Sequence, residues 1–210
     1  MSQETRRAYN QKILAQVDRY LETFPEEIER ISKLRSQLLD NSENICDRAN
    51  MRGHLTGSGL FYSGKIDSVL LVHHRALDLW IQPGGHLEKE EEPLECATRE
   101  FLEETGISAA ELSDWHTQSK IALDIDTHFI PANEKKKESS HFHHDFLYLL
   151  VETKKESESD DLNSIEDLKI NRFELADYDW VKLDMLISGD YEEKLKRAAR
   201  KIRRLMVRCN

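Results

Sequence analysis

The stretch Gly85–Ile107, GHLEKEEEPLECATREFLEETGI, constrains this 210-residue chain more than any other. A Gly-Gly pair leads into a loop carrying Glu91. Pro93 then opens a helix that runs to Thr105, because Pro is tolerated in a first turn, and Gly106 stands where a left-handed cap is needed. Glu100, Glu103 and Glu104 fall at i, i+3 and i+4, so one helical face collects three carboxylates within about one turn. Ionised and unpaired, they repel one another. A divalent cation removes the conflict, and hard oxygen donors with no Cys or His among them favour Mg²⁺ or Mn²⁺ over Zn²⁺. Magnesium shares its coordination shell with substrate phosphates, so the pattern points to metal-assisted attack of water on phosphorus. Arg99 has the fork to orient Glu91 or Glu103. Gly84 or Gly85 can adopt φ > 0 and offer backbone atoms close to the metal or phosphate.

Around this segment the hydrophobic period changes near residue 50. Before it, Tyr9, Ile13, Val17, Tyr20, Leu21 and Phe24 stripe one helix, and Ile28, Ile31, Leu34 and Leu38 stripe a second, with Thr23, Pro25 and Glu26 reading as a capping box for the latter. After it come short extended runs: His54–Tyr62 and Lys65–His73 about a Ser63-Gly64 turn, Leu77–Gln82, Lys120–Pro131, Phe142–Val151 and Tyr178–Leu183. Asn133–Ser140 and the acidic Lys154–Ser164 read as surface loops, and Tyr191, Leu195, Ala198, Ile202 and Leu205 stripe a closing helix. Strands interspersed with helices around one core predict an α/β sandwich with a mixed sheet.

The formal charge of −10 disfavours a bulk polyanion partner, although the closing helix carries a cationic stripe, Lys194, Arg197, Lys201, Arg204 and Arg208, read as its solvent face. No apolar run is long enough for a membrane span, and no secretory pattern opens the chain. Three cysteines, Cys46, Cys96 and Cys209, without CxxC spacing suit a reducing cytoplasm.

The segment resembles the Nudix box, G-x5-E-x7-R-E-U-x-E-E-x-G-U with U apolar, at every fixed position: Gly85, Glu91, Arg99, Glu100, Glu103, Glu104 and Gly106, with Phe101 and Ile107 at the apolar places. Phe101 is bulkier than the usual aliphatic residue. The flanks are similar too: His54–Gly59 as a first strand, Trp80-Ile81-Gln82-Pro83 leading into the box, and Glu174 ahead of Trp180-Val181. The resemblance leaves out the N-terminal helices, which gives an expected division into a helical segment, residues 1–50, and a Nudix domain with its C-terminal helix, residues 51–210. It implies an α/β/α sandwich and an enzyme that cleaves a pyrophosphate bond in a small nucleoside diphosphate-linked substrate with Mg²⁺ or Mn²⁺. The metal ligands it implies are Glu100, Glu103 and Glu104, with the Gly85 carbonyl an additional one. Glu91 would pair with Arg99 or join the outer shell, and the general base would be Glu103 first and Glu174 second. The alternative is a nucleotide-binding regulatory module that keeps the fold with little or no hydrolysis; intact glutamates favour the enzyme. Family markers that distinguish substrates downstream of the box are absent.

In the run His141-Phe142-His143-His144-Asp145, strand alternation puts His141, His143 and Asp145 on one face. Such an array could bind Zn²⁺ or contact substrate phosphates or base edges, with His86 and His128 nearby; the plainer reading is an edge strand with hydrated imidazoles. The N-terminal helices would pack on the main domain or on a second copy, leaving a homodimer open.

Overall fold

In the computed structural model, which describes residues 2–134, 137–153 and 168–208, the chain is built on one parallel strand pair. β1 (His54–Ser63) and β7 (His141–Glu152) run side by side from His54 opposite His143 to Tyr62 opposite Val151. Every other pairing is antiparallel. β2 (Ser68–His74) follows β1 through the tight turn and pairs with both β3 (Leu79–Ile81) and β8 (Leu175–Lys182). The short β4 (Gly84–His86) lies on the first half of β1, while β5 (Ala110–Leu112) and β6 (Asp124–Ile130) flank opposite halves of β7. The expected mixed-sheet α/β sandwich is the fold observed.

Side-chain alternation on β1 decides what covers each face. Leu55 and Phe61 point to the layer containing α1 (Gln3–Thr23), α2 (Ser32–Asp40) and the box helix α3 (Pro93–Thr105). Between them Gly57 and Gly59 let α3 lie directly on the strand: a Cβ at Gly57 would come within 2.9 Å of the Cys96 Cβ, and one at Gly59 within 3.3 Å of that of Phe101. Phe101 is 1% exposed and stacks on Phe61 at 5.6 Å between ring centroids, so the bulky residue in the box fills space that the glycines leave. Leu60 and Tyr62 point the other way, to α5 (Leu183–Ser188) and α6 (Glu193–Arg208), where Leu195, Ala198 and Ile202 close the second core layer. A short helix α4 (Asp114–Ser119) precedes β6. Among the described residues no helix is long and apolar enough to cross a membrane.

The stripe on α1 is buried as its spacing requires, and Tyr9, Ile13, Val17, Tyr20, Ile31 and Leu34 join Leu55, Leu87 and Cys96 in one apolar cluster. Two readings of local sequence are corrected. Thr23 is the last residue of α1, and Pro25–Glu27 forms a 3₁₀ turn without a side-chain cap, so α2 starts only at Ser32. Pro25 interrupts the helical hydrogen bonding there, and the chain needs that extra turn to redirect. The cationic stripe on α6 is a solvent face only in part: Arg204 is exposed, whereas Arg197 and Lys201 turn inward. Lys201 is 5% exposed and its Nζ lies 2.7 Å from Asp124 and 3.0 Å from Glu27, while Arg197 holds Asp124 and Asp126. Burial of Asp124 on β6 and Glu27 after α1 demands cations, and α6 supplies them. The Arg208 side chain, Cys209 and the acidic run Lys154–Ser164 lie outside the described residues.

Candidate active site

Helix α3 is fixed at both ends by local chemistry. Glu92 caps it reciprocally with Glu95, the Glu92 N–H donating to Glu95 Oε2 at 2.9 Å, and Gly106 takes φ +71° with its N–H on the Leu102 carbonyl. Of the box glycines only Gly106 uses a positive φ. Gly84 and Gly85 are strand residues opposite Ser58 and Gly57 rather than a Gly-Gly turn, and neither uses the positive φ open to it. Their small size serves close approach instead: a side chain at Gly85 would overlap the Glu100 carboxylate, and one at Gly84 would overlap Ser58.

The carboxylates arrange around this close approach. Arg99 grips Glu91 with two parallel bonds, Nε and Nη2 each at 2.9 Å, and extends Nη1 to Glu100 at 2.9 Å and Glu103 at 3.3 Å. Its guanidinium pKa is raised, first through hydrogen bonding to Glu91, whose own carboxyl is lowered for the same reason. Glu104 is 5% exposed; burial, with Glu100, Glu174 and Glu103 close enough to repel it, pushes its pKa up to about 8 against a Gly84 backbone hydrogen bond. Burial likewise raises Glu100, with Glu103 and Glu174 adding to it and Arg99 opposing. Glu174, just before β8, therefore lies in the field of the box although 70 residues separate it from Glu104 in sequence. Glu103 stands in solvent, at 58% side-chain exposure. Gly85, Glu91, Arg99, Glu100, Glu103, Glu104 and Glu174 are thus brought together, five acids around one guanidinium.

The N-terminal helix supports the loop before α3. Tyr9 donates to the Glu91 carbonyl at 2.7 Å, Gln16 to Glu92 at 3.2 Å, and Lys12 pairs with Glu92 at 2.8 Å. A cleft of about 590 Å³ beside this contact is lined by Lys12, Arg19, Leu94, Lys120 and Tyr148 but by none of Glu100, Glu103 or Glu104. The cleft supplies space without convergent reactive groups.

The histidine array divides. Asp145 is buried and accepts from Thr56 at 2.9 Å, Ser58 at 2.8 Å and Gln82 at 3.2 Å, so its oxygens are committed to β1 and to the residue before Pro83. His141 and His143 instead meet His86 and His54. His54 was not among the residues singled out by sequence, and no local signal marks it; only the parallel pairing of β1 with β7 brings it opposite His143. Arg99 Nη2 donates to the His86 carbonyl at 3.1 Å, joining the carboxylate cluster to the imidazole cluster through one residue of β4.

A family model described as "NUDIX domain" matches residues 56–206, and the chain belongs to the NUDIX family. A curated relative, the probable DHNTP pyrophosphohydrolase of Lactococcus lactis subsp. cremoris, is 30% identical over 149 residues, which are 71% of this chain and 83% of the relative. The RNA pyrophosphohydrolase of Brucella anthropi is 42% identical over 59 residues, 26% of this chain and 31% of its own length. Among solved structures, a C. elegans Ap4A hydrolase in a binary complex aligns with a TM-score of 0.49 at 17% identity, over 73% of this chain and 97% of its own.

Proposed function

We propose that this protein hydrolyses a pyrophosphate bond in a small nucleoside diphosphate-linked substrate, using Mg²⁺ or Mn²⁺ held by Glu100, Glu103, Glu104 and the Gly85 carbonyl. The observation that carries the reading is the convergence of Glu100, Glu103, Glu104 and Glu174, with the Arg99 guanidinium on Glu100 and Glu103. An all-oxygen donor set of this kind fits a hard cation. When bound, such an ion offsets charge on the attacking and leaving oxygens of a phosphoryl transfer. Membership of the NUDIX family and the names of the two relatives, both pyrophosphohydrolases, support the same reaction.

The chain's own groups divide the work. Glu100 and Glu104, held by α3 on one side and the β4 backbone on the other, keep their carboxylates converged. Glu103 stands in solvent and is the group best placed to take a proton from the attacking water; Glu174 is the second candidate. Arg99 acts as a positioning residue, fixing Glu91, Glu100 and Glu103 relative to one another. The test is a broad panel of nucleoside triphosphates, nucleotide sugars and dinucleoside polyphosphates with Mg²⁺ and Mn²⁺, read by phosphate and pyrophosphate release. Metal-dependent release from at least one class, lost in Glu104→Gln, supports the proposal. No release from any class, together with a nucleotide that raises Tm, supports a binding module in its place.

A further inference from the structure

On the sheet face turned away from α3, imidazoles from four strands converge. The registers set His54 opposite His143 and His143 opposite His128, and His86 leans in from β4, where it faces Thr56. The His54 ring centroid lies 5.1 Å from that of His86, 4.9 Å from His141 and 4.8 Å from His143. One ring nitrogen from each of His54, His86 and His143 falls within 4.8 Å of the others. His143 Nε2 stands 3.3 Å from His86 Nε2 and 3.2 Å from His141 Nε2. Neighbouring ligands on a tetrahedron with metal–nitrogen arms of ~2.0–2.1 Å are separated by about 3.3 to 3.4 Å, which the His143–His86 and His143–His141 pairs match.

Proton counting sharpens the geometry. His54 Nδ1 lies 3.1 Å from the Asn50 carbonyl and His141 Nδ1 2.8 Å from the Ser139 carbonyl. A carbonyl only accepts, so in a neutral ring Nδ1 carries the proton and Nε2 presents a lone pair. His54 Nε2 is then a buried acceptor with no hydrogen-bond partner, in a residue 1% exposed. His143 Nε2, with at most one proton, faces two further ring nitrogens. The backbone carbonyls behind His54 and His141 are the partners that orient a metal-bound imidazole.

We propose that His54, His86 and His143 form a binding site for a Zn²⁺-class divalent ion, with His141 as its fourth nitrogen. This site is distinct in chemistry and in sheet face from the carboxylate cluster: nitrogen donors select borderline-soft ions where oxygen donors select hard ones. Its ligands come from β1, β4 and β7, so an ion there ties the short β4 strand, on which the Gly85–Glu100 contact depends, to the central parallel pair.

Full-length, tag-free protein stripped with chelator and titrated with Co²⁺ tests this. Expected are about one equivalent bound with the visible absorption of tetrahedral nitrogen-ligated cobalt, stoichiometric displacement by Zn²⁺, and no displacement by excess Mg²⁺. Affinity should fall at least tenfold in His86→Gln and in His143→Gln and persist in Glu100→Gln. X-ray absorption of the zinc-loaded wild type needs no variant to fold and should show nitrogens at ~2.0–2.1 Å with imidazole scattering. Uptake below about a tenth of an equivalent, an oxygen-dominated shell, or binding that survives both histidine substitutions and disappears in Glu100→Gln would overturn the proposal.

Discussion

Arg99 holds both oxygens of Glu91 at 2.9 Å across the turn that connects β4 to α3, with Nε on one and Nη2 on the other. Glu91 is 11% exposed in this bidentate pair, which sets where Nη1 reaches Glu100 and where Nη2 also reaches the His86 carbonyl. Arg99→Lys keeps the charge and loses the fork. The expected result is a fall in turnover of about 10- to 100-fold, with a higher Mg²⁺ requirement, because a point charge cannot hold two carboxylates in fixed register. Turnover within a factor of two of wild type over a metal titration would show that the fork positions nothing.

Gly85→Ala places a methyl group against the Glu100 carboxylate. Since β4 is pinned to β1 at Thr56, Gly57 and Ser58, the side chain rather than the strand must give way. Divalent-ion affinity, measured by Mn²⁺ titration, should drop by at least tenfold while the circular dichroism spectrum is retained. Wild-type affinity in this variant would remove the close approach from the account.

His116 is buried and neutral, its pKa lowered to about 4 by burial; Nδ1 donates to the Ile121 carbonyl at 2.8 Å and Nε2 accepts from the Leu149 N–H at 2.7 Å. The unfolded chain protonates this ring near pH 6.5 and the folded chain does not until about pH 4. The stability it supports is therefore complete above pH 6.5 and declines as pH falls toward 4. Urea unfolding should show wild type losing about 2 kcal/mol more than His116→Gln between pH 7 and 5. Parallel losses in the two proteins would contradict the assignment.

Lys201 and Arg203 are two residues apart on α6 and differ in burial. Lys201 meets Tyr20 and Asp124, each at 2.7 Å, whereas Arg203 pairs with Asp67 and Asp184 at a partly exposed edge. Lys201→Met should cost about 3 kcal/mol by stranding buried carboxylates, and Arg203→Ala less than about 1 kcal/mol. Equal costs in thermal unfolding would count against the buried network.

Elements whose signals are local were legible in the sequence. Pro93 and Gly106 bound α3 where the structure ends it, and the i, i+3, i+4 spacing of Glu100, Glu103 and Glu104 follows from helical period alone. What depended on long-range pairing was not legible. His54 meets His143 through a parallel register 89 positions apart, and Asp145 turns to Thr56 and Ser58 for the same reason. The burial of Lys201 could not be read from its own helix, because the acids that require it sit on β6 and after α1. The capping box was read at Thr23, yet the reciprocal one formed at Glu92 and Glu95, where acidic side chains substitute for the usual hydroxyl. Gly84 and Gly85 were assigned to a turn because glycine permits one; the structure uses their lack of a side chain.

The most direct measurement is the anomalous X-ray signal of Mn²⁺ in crystals soaked together with a non-hydrolysable nucleoside triphosphate. The account predicts a peak bounded by Glu100, Glu103, Glu104 and the Gly85 carbonyl, with phosphate oxygens completing its shell. A carboxylate face without manganese, or manganese and phosphates seated together elsewhere on the sheet, would contradict it.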